Sequence, residues 1–240
     1  MASARDLLPV PLAPTPTATP GTPAPDRLWY VAYGSNAHSG RLARYLQGGR
    51  LPGTGAVYPG CRDPRTPERS LPVVFPGAVY FATESRVWGG GRAFYDPGAD
   101  GSVLGRAHLV SVGQFSDIAA QEMYREPGED LDLAGVLARG RQVLGDGRYE
   151  TLVRCGYLDG VPALTFTAPW RMSDVPWRPP SAAYLWYLVA GLAEAGAWNP
   201  EEIASYVAAC PGAAGHWSAR AVAELVRRGR PPQPGRPGDG

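Results

Sequence analysis

The chain has 240 residues, 44% of them apolar, with 23 basic against 22 acidic side chains and a formal charge of +1. That apolar content suffices for one substantial core, and the near-neutral balance excludes the electrostatic footprint of a nucleic-acid or membrane-surface binder. No apolar run reaches the length of a bilayer span, and the N-terminus lacks the charged-then-apolar order of a secretory signal, so the expected location is the cytoplasm.

Residues 1–26 are dominated by Pro, Thr and Ala, a composition that cannot form a packed core and predicts a disordered tail. The first predicted strand covers 28–32, where Trp29, Tyr30 and Val31 supply aromatic and β-branched content. It runs straight into Tyr33, Gly34, Ser35 and Asn36, residue types that tolerate tight conformations. Consecutive N–H groups at such a turn are able to cradle a carboxylate or phosphate; on pattern alone an ordinary strand-ending turn weighs as much. A helix is predicted over 39–47, with Leu42, Tyr45 and Leu46 on one side. The proline-rich stretch 59–72 carries Arg62, Asp63, Arg65, Glu68 and Arg69 and reads as a surface loop. Its charges are ordinarily solvated ones, with a substrate-facing rim as the functional alternative.

Further strands are predicted over 78–82, 92–95 and 105–112, the last leading into a helix over 115–123 that contains Gln121 and Glu122. The segment 123–147 is long enough for its own amphipathic helix over 131–144, with Leu133, Val136, Leu137 and Val143 at helical spacing. It is either a lid over a pocket or a packing insertion. Strands over 149–155 and 163–167 follow, then helices over 181–194, 200–209 and 214–228, and a Pro/Gly-rich tail over 230–240. Short strands alternating with Gly, Pro and Asp turns predict one α+β domain over 27–229, built on a small mixed β-barrel or curled sheet with flanking helices.

Cys61, Cys155 and Cys210 are odd in number and form no CxxC pair, which argues for free thiols rather than a disulfide framework or structural zinc. Cys155 is expected to be a buried packing thiol. His38, His108 and His216 lack the spacing of metal ligands, so no metal site is expected. His38 reads as an exposed loop residue. All basic residues are arginine, which together with high Gly, Ala and Pro fits a high-GC coding bias rather than dedicated phosphate sites.

Tyr33-Gly34-Ser35-Asn36 after a short apolar strand resembles the signature of the γ-glutamylcyclotransferase-like superfamily. Three further pieces stand in the family's order. Residues 105–122 resemble its strand, helix and catalytic glutamate; Tyr149 and the strand after it resemble the element carrying a substrate-contacting tyrosine; and Pro179-Pro180-Ser181-Ala182-Ala183-Tyr184 resembles its Pro-Ser loop with a second tyrosine. Asn36 is followed by Ala37, where the family usually has a larger apolar residue, and Glu122 by Met123, where glycine is common. The connection 123–147 is longer than in compact relatives. With the glycine triplet 89–91, these departures point to an altered acceptor group.

The resemblance implies cofactor-free chemistry on a small-molecule γ-glutamyl amide. The substrate's own α-amine attacks its γ-carbonyl, closes 5-oxoproline and expels an amine, and the departures from the family pattern make a biosynthetic intermediate a candidate substrate. Glu122 is then the proton shuttle, because the attacking nitrogen must lose a proton and the leaving one gain one. Tyr33, Gly34, Ser35 and Asn36 bind the substrate carboxylate through their backbone, and Tyr149 and Tyr184 wall the pocket and offer hydroxyls. Ser35 lacks the elbow and histidine of a hydrolase nucleophile. The alternatives are an amide hydrolase or acyltransferase using the same pocket, or a small-molecule-binding module without turnover. Nucleic-acid and membrane partners are not expected, and the oligomeric state is open.

Overall fold

The computed structural model describes residues 7–14 and 25–232. In chain order its strands are β1 (Val10–Pro11), β2 (Arg27–Ala32), β3 (Gly49–Arg50), β4 (Val57–Tyr58), β5 (Ser70–Pro76), β6 (Ala78–Ala82), β7 (Arg92–Asp96), β8 (Ser102–Ser111), β9 (Arg141–Val143), β10 (Thr151–Leu158) and β11 (Val161–Thr167). The helices are α1 (Ser39–Gln47), α2 (Val112–Glu122), α3 (Ala134–Arg139), α4 (Ala182–Ala195), α5 (Pro200–Ala209) and α6 (Ala219–Arg227).

Seven strands form one mixed sheet in the order β1-β5-β8-β2-β11-β10-β9, while β3-β4 and β6-β7 are separate pairs. The architecture is the expected α+β one, a curled sheet with flanking helices. Among the described residues the curl is not closed by a strand ladder, and one antiparallel bridge spans the seam, with Ala13 and Tyr157 exchanging N–H···O bonds of 3.0 and 2.9 Å.

Strand β2 lies at the centre, antiparallel to β8 with Tyr30 opposite His108 and parallel to β11 with Leu164 opposite Tyr30. Its alternate residues serve two cores, as the two-residue period of a strand requires. Trp29, Val31 and Tyr33 join the cluster that takes in α4, α5 and α6, whereas Leu28, Tyr30 and Ala32 join the cluster of α1, α2 and α3. A strand covered on both faces reads as a continuous apolar run, which is why 28–32 shows no alternation.

Three sequence expectations are corrected. Within the stretch expected to be a tail, β1 pairs parallel with β5 and Leu12 is buried; the remainder of that stretch and residues 233–240 lie largely or wholly outside the described residues. The loop expected over 59–72 runs into β5, which pairs with β8 along its whole length despite Pro72 and Pro76. The helix expected over 131–144 is only α3, stopped by Gly140 at φ 79° and followed by β9 on the sheet edge. The apolar residues that suggested one helix are divided between a short helix and an edge strand. Among the described residues no helix is long and apolar enough to cross a membrane.

Candidate active site

The turn after β2 is set by where the strand ends. Gly34 is extended, at φ −118° and ψ −150°, and Ser35–Ala37 forms a single 3-10 turn whose carbonyls at Gly34 and Ser35 accept from Ala37 and His38. The first N–H groups of such a turn have no preceding helical carbonyl to bond. Gly34 is needed for space rather than dihedral freedom: a Cβ there would stand 3.0 Å from the Tyr184 hydroxyl.

Helix α2 brings the carboxylate. Ser111 caps it through a reciprocal box with Gln114, and its other end is held by Gln121, whose amide donates to the Tyr45 carbonyl at 3.0 Å. Glu122, the final helical residue, therefore stands over the end of β2. Asn36 Nδ2 donates to Glu122 Oε1 at 3.0 Å and to the Tyr30 hydroxyl at 3.1 Å, and Asn36 Oδ1 is buried without a partner among the described residues. One side chain of the turn thus orients the carboxylate and keeps an acceptor in reserve.

Tyr33, Gly34, Ser35, Asn36, Glu122, Tyr149 and Tyr184 all line one cavity of about 90 Å³. The tyrosine hydroxyls differ in what they have left to give. Tyr33 donates to the Phe166 carbonyl at 2.9 Å and Tyr149 to the Ala93 carbonyl at 3.0 Å, so Tyr149 acts here as a wall. The Tyr184 hydroxyl accepts from the Ala93 N–H at 3.1 Å, which leaves its own proton for a ligand. Burial pushes the pKa of Tyr33, Tyr149 and Tyr184 above the ordinary tyrosine value, keeping the protons on these oxygens.

Sequence reasoning missed the basic groups of the cavity. Arg41 and Arg92 line it, whereas the arginines considered for a rim turn elsewhere: Arg62 pairs with Asp117 and Asp130, and Arg65 with Asp63. The signal for Arg41 was its place four residues before Tyr45, which puts it on the apolar face of α1. No comparable signal marked Arg92. Tyr124 was also missed; it lines the mouth with φ 58° and carries Arg148 over its ring at 4.9 Å. It is the single residue of 123–147 in the lining.

The glycine triplet likewise has a packing role. Gly91 donates to the Pro179 carbonyl at 2.8 Å, and a Cβ there would fall 2.1 Å from the Arg178 carbonyl. It docks the Pro-Ser loop, where Ser181 caps α4 by accepting from Tyr184 N–H at 3.3 Å. His38 is half-buried rather than exposed; it caps α1 and pairs with Glu194 at 3.2 Å. The cysteines are free, and burial pushes the thiols of Cys61 and Cys210 up to about 12, and that of Cys155 in the same direction. Among the described residues no group of three or more His, Cys, Asp or Glu is placed to hold a metal.

No protein-family model matches the chain. It is 30% identical over 200 residues to histone deacetylase 5 of Arabidopsis thaliana, an alignment covering 75% of this chain and 30% of that protein. The chain thus spans under a third of the curated relative it matches. Solved structures similar to it include an uncharacterized protein from Homo sapiens, 16% identical with a TM-score of 0.48, covering 85% of this chain and 100% of that one. They also include a γ-glutamyl cyclotransferase, 16% identical with a TM-score of 0.45, covering 85% and 99%.

Proposed function

We propose that this protein cleaves a small γ-glutamyl amide by intramolecular cyclisation. The observation that carries the reading is the Asn36–Glu122 hydrogen bond, which holds a carboxylate against the donor-rich turn inside one cavity. In this reading the turn binds the substrate's α-carboxylate through N–H groups, as backbone concavities bind anions. The α-amine nitrogen attacks the γ-carbonyl carbon and the bond to the leaving nitrogen breaks. Glu122 takes the proton from the first nitrogen and returns it to the second, and the Tyr184 O–H donates to the carbonyl oxygen as charge develops. The products are 5-oxoproline and a free amine. Holding the chain curled supplies much of the rate, since effective molarities of well-oriented intramolecular reactions reach about 10⁵ M or more. No cofactor enters these steps, and the chemistry suits a soluble small molecule in the cytoplasm.

Deacetylation, the activity in the Arabidopsis relative's name, also breaks an amide, so the product must be identified directly. Wild type and Glu122→Gln are incubated with γ-glutamyl dipeptides and γ-glutamyl amines, and 5-oxoproline and glutamate are followed by mass spectrometry. The expected result is 5-oxoproline from wild type and a loss of at least about 100-fold in the variant. Free glutamate as the first product would replace cyclisation by hydrolysis. Near-wild-type turnover by Glu122→Gln would remove the shuttle from the mechanism.

A further inference from the structure

Helix α2 ends just beyond Glu122 without a glycine. Tyr124 N–H donates to the Gln121 carbonyl at 3.1 Å and Arg125 N–H to the Ala120 carbonyl at 2.8 Å, the paired bonds of a helix end whose turning residue is left-handed. That residue is Tyr124, at φ 58°. Glycine occupies such a position without penalty, whereas a side chain there crowds the backbone. The strained residue is also 65% exposed, so burial of its ring does not offset the cost. The half-buried Arg148 guanidinium covers the ring at 4.9 Å, and an exposed contact of that kind offsets only part of it. Tyr124 stands at the mouth of the cavity that holds Glu122. A bulky side chain kept strained and solvent-facing at a cavity mouth is accounted for by what the cavity admits rather than by the fold.

We infer that the Tyr124 ring is a stacking surface for the group carried by the departing nitrogen, so that the preferred amide releases an amine bearing a flat aromatic group. The identity of the amide rests on the cyclotransferase reading, in which Glu122 exchanges protons with both nitrogens. The departing nitrogen then lies beside Glu122, and its substituent leaves the cavity past the residue two places further on. The half-buried Tyr58 and Val87 line the same cavity and extend its apolar lining. Two aromatic rings gain from offset or edge-on contact beyond the area they bury. Tyr124 is thus a specificity-determining residue and takes no part in proton transfer.

The test compares γ-glutamyl-phenethylamine with γ-glutamyl-ethylamine, which differ by the phenyl group alone. Wild type should favour the phenethyl compound by at least about fivefold in kcat/KM, the scale of one aromatic contact. Glu122→Gln, used to block turnover, should show a similar preference in calorimetric affinity. Tyr124→Gly should collapse the ratio toward one while raising the thermal midpoint by about 3 °C, because the strain is relieved. Tyr124→Phe, which keeps the ring, should retain the ratio. Equal treatment of the two compounds by wild type would overturn the inference, as would failure of both to bind. So would a lower midpoint in Tyr124→Gly, which would make the residue structural, or an equal loss on both compounds with the ratio intact, since Tyr124 would then be serving Glu122. If the phenethyl compound is bound with the expected preference, Tyr124→Gly abolishes that preference and wild type turns neither compound over, the stacking surface stands and the cyclotransferase reading falls.

Discussion

At the scale of single residues, the site depends on side chains that are not free to move. Gly34 is the clearest case, because the Tyr184 hydroxyl occupies the space next to its Cα. Gly34→Ala should push that hydroxyl away from the Ala93 N–H by a few tenths of an ångström. Misplacement on that scale costs about tenfold in kcat/KM, while a surviving fold leaves the thermal midpoint nearly in place. Steady-state kinetics beside a melting curve checks this, and an unchanged kcat/KM would show that Tyr184 does not touch the substrate.

His108 gives a second residue-scale prediction. It is 1% exposed in β8, with Nδ1 2.8 Å from Ser70 Oγ. Burial, with the Arg106 charge nearby, pushes its pKa down from 6.5 to about 3. The unfolded chain therefore binds a proton at this position between about pH 6.5 and pH 3 that the folded chain refuses. The contribution to stability is complete above pH 6.5 and is lost as pH falls through that window, amounting to about 2 kcal/mol at pH 5. Denaturant titrations of wild type and His108→Asn at pH 7 and pH 5 should show the shallower pH slope in the variant; parallel slopes would place the acid sensitivity elsewhere.

At the scale of elements, α2 is what aims Glu122, and the proline-rich segment before β5 is what holds α2. Asp117, fully buried, accepts from the Arg62 backbone N–H at 2.8 Å and from its guanidinium at 3.0 to 3.1 Å. Arg62 also reaches Asp130 at 2.6 Å, and Gln114 donates to the carbonyls of Asp63 and Arg65. Arg62, read from the sequence as solvated or substrate-facing, is therefore a fastener between elements, whereas the Asp63 and Arg65 side chains pair with each other within the loop. Asp117→Ala should cost about 2 kcal/mol, the lower range for a broken charged pair, because the half-exposed Arg62 regains water. Chemical denaturation measures the cost, and a loss below about 0.5 kcal/mol would mean that α2 is held by its apolar face alone.

At the scale of the whole molecule, the curled sheet needs its seam. Strand β1 completes the β5 edge and the Ala13–Tyr157 bridge ties that edge to β10, with Leu12 packed into the larger core. Leu12→Ala should cost about 2 kcal/mol, which for a domain of this size lowers Tm by about 5 °C. An unchanged Tm would return the segment to the status of a tail. Composition hid this role, since Pro and Thr lower the apolar density of a stretch without preventing two residues from pairing with an edge.

What the sequence determined by itself was local and ordered along the chain: the strand and turn at 28–36, the helix carrying Glu122, the tyrosines at 149 and 184, and the mixed α+β class. Residue type, spacing and chain order are sufficient for these, because each is a property of a short segment. Tertiary structure alone decided which groups meet. Arg41 and Arg92 come from α1 and β7, far apart in sequence, and nothing in either segment shows that their charges are buried in one cavity. The same holds for Tyr149, whose hydroxyl is occupied by a carbonyl of a strand 56 residues away. Burial and pairing are set by the other side of a contact, and a chain read one segment at a time does not contain that side.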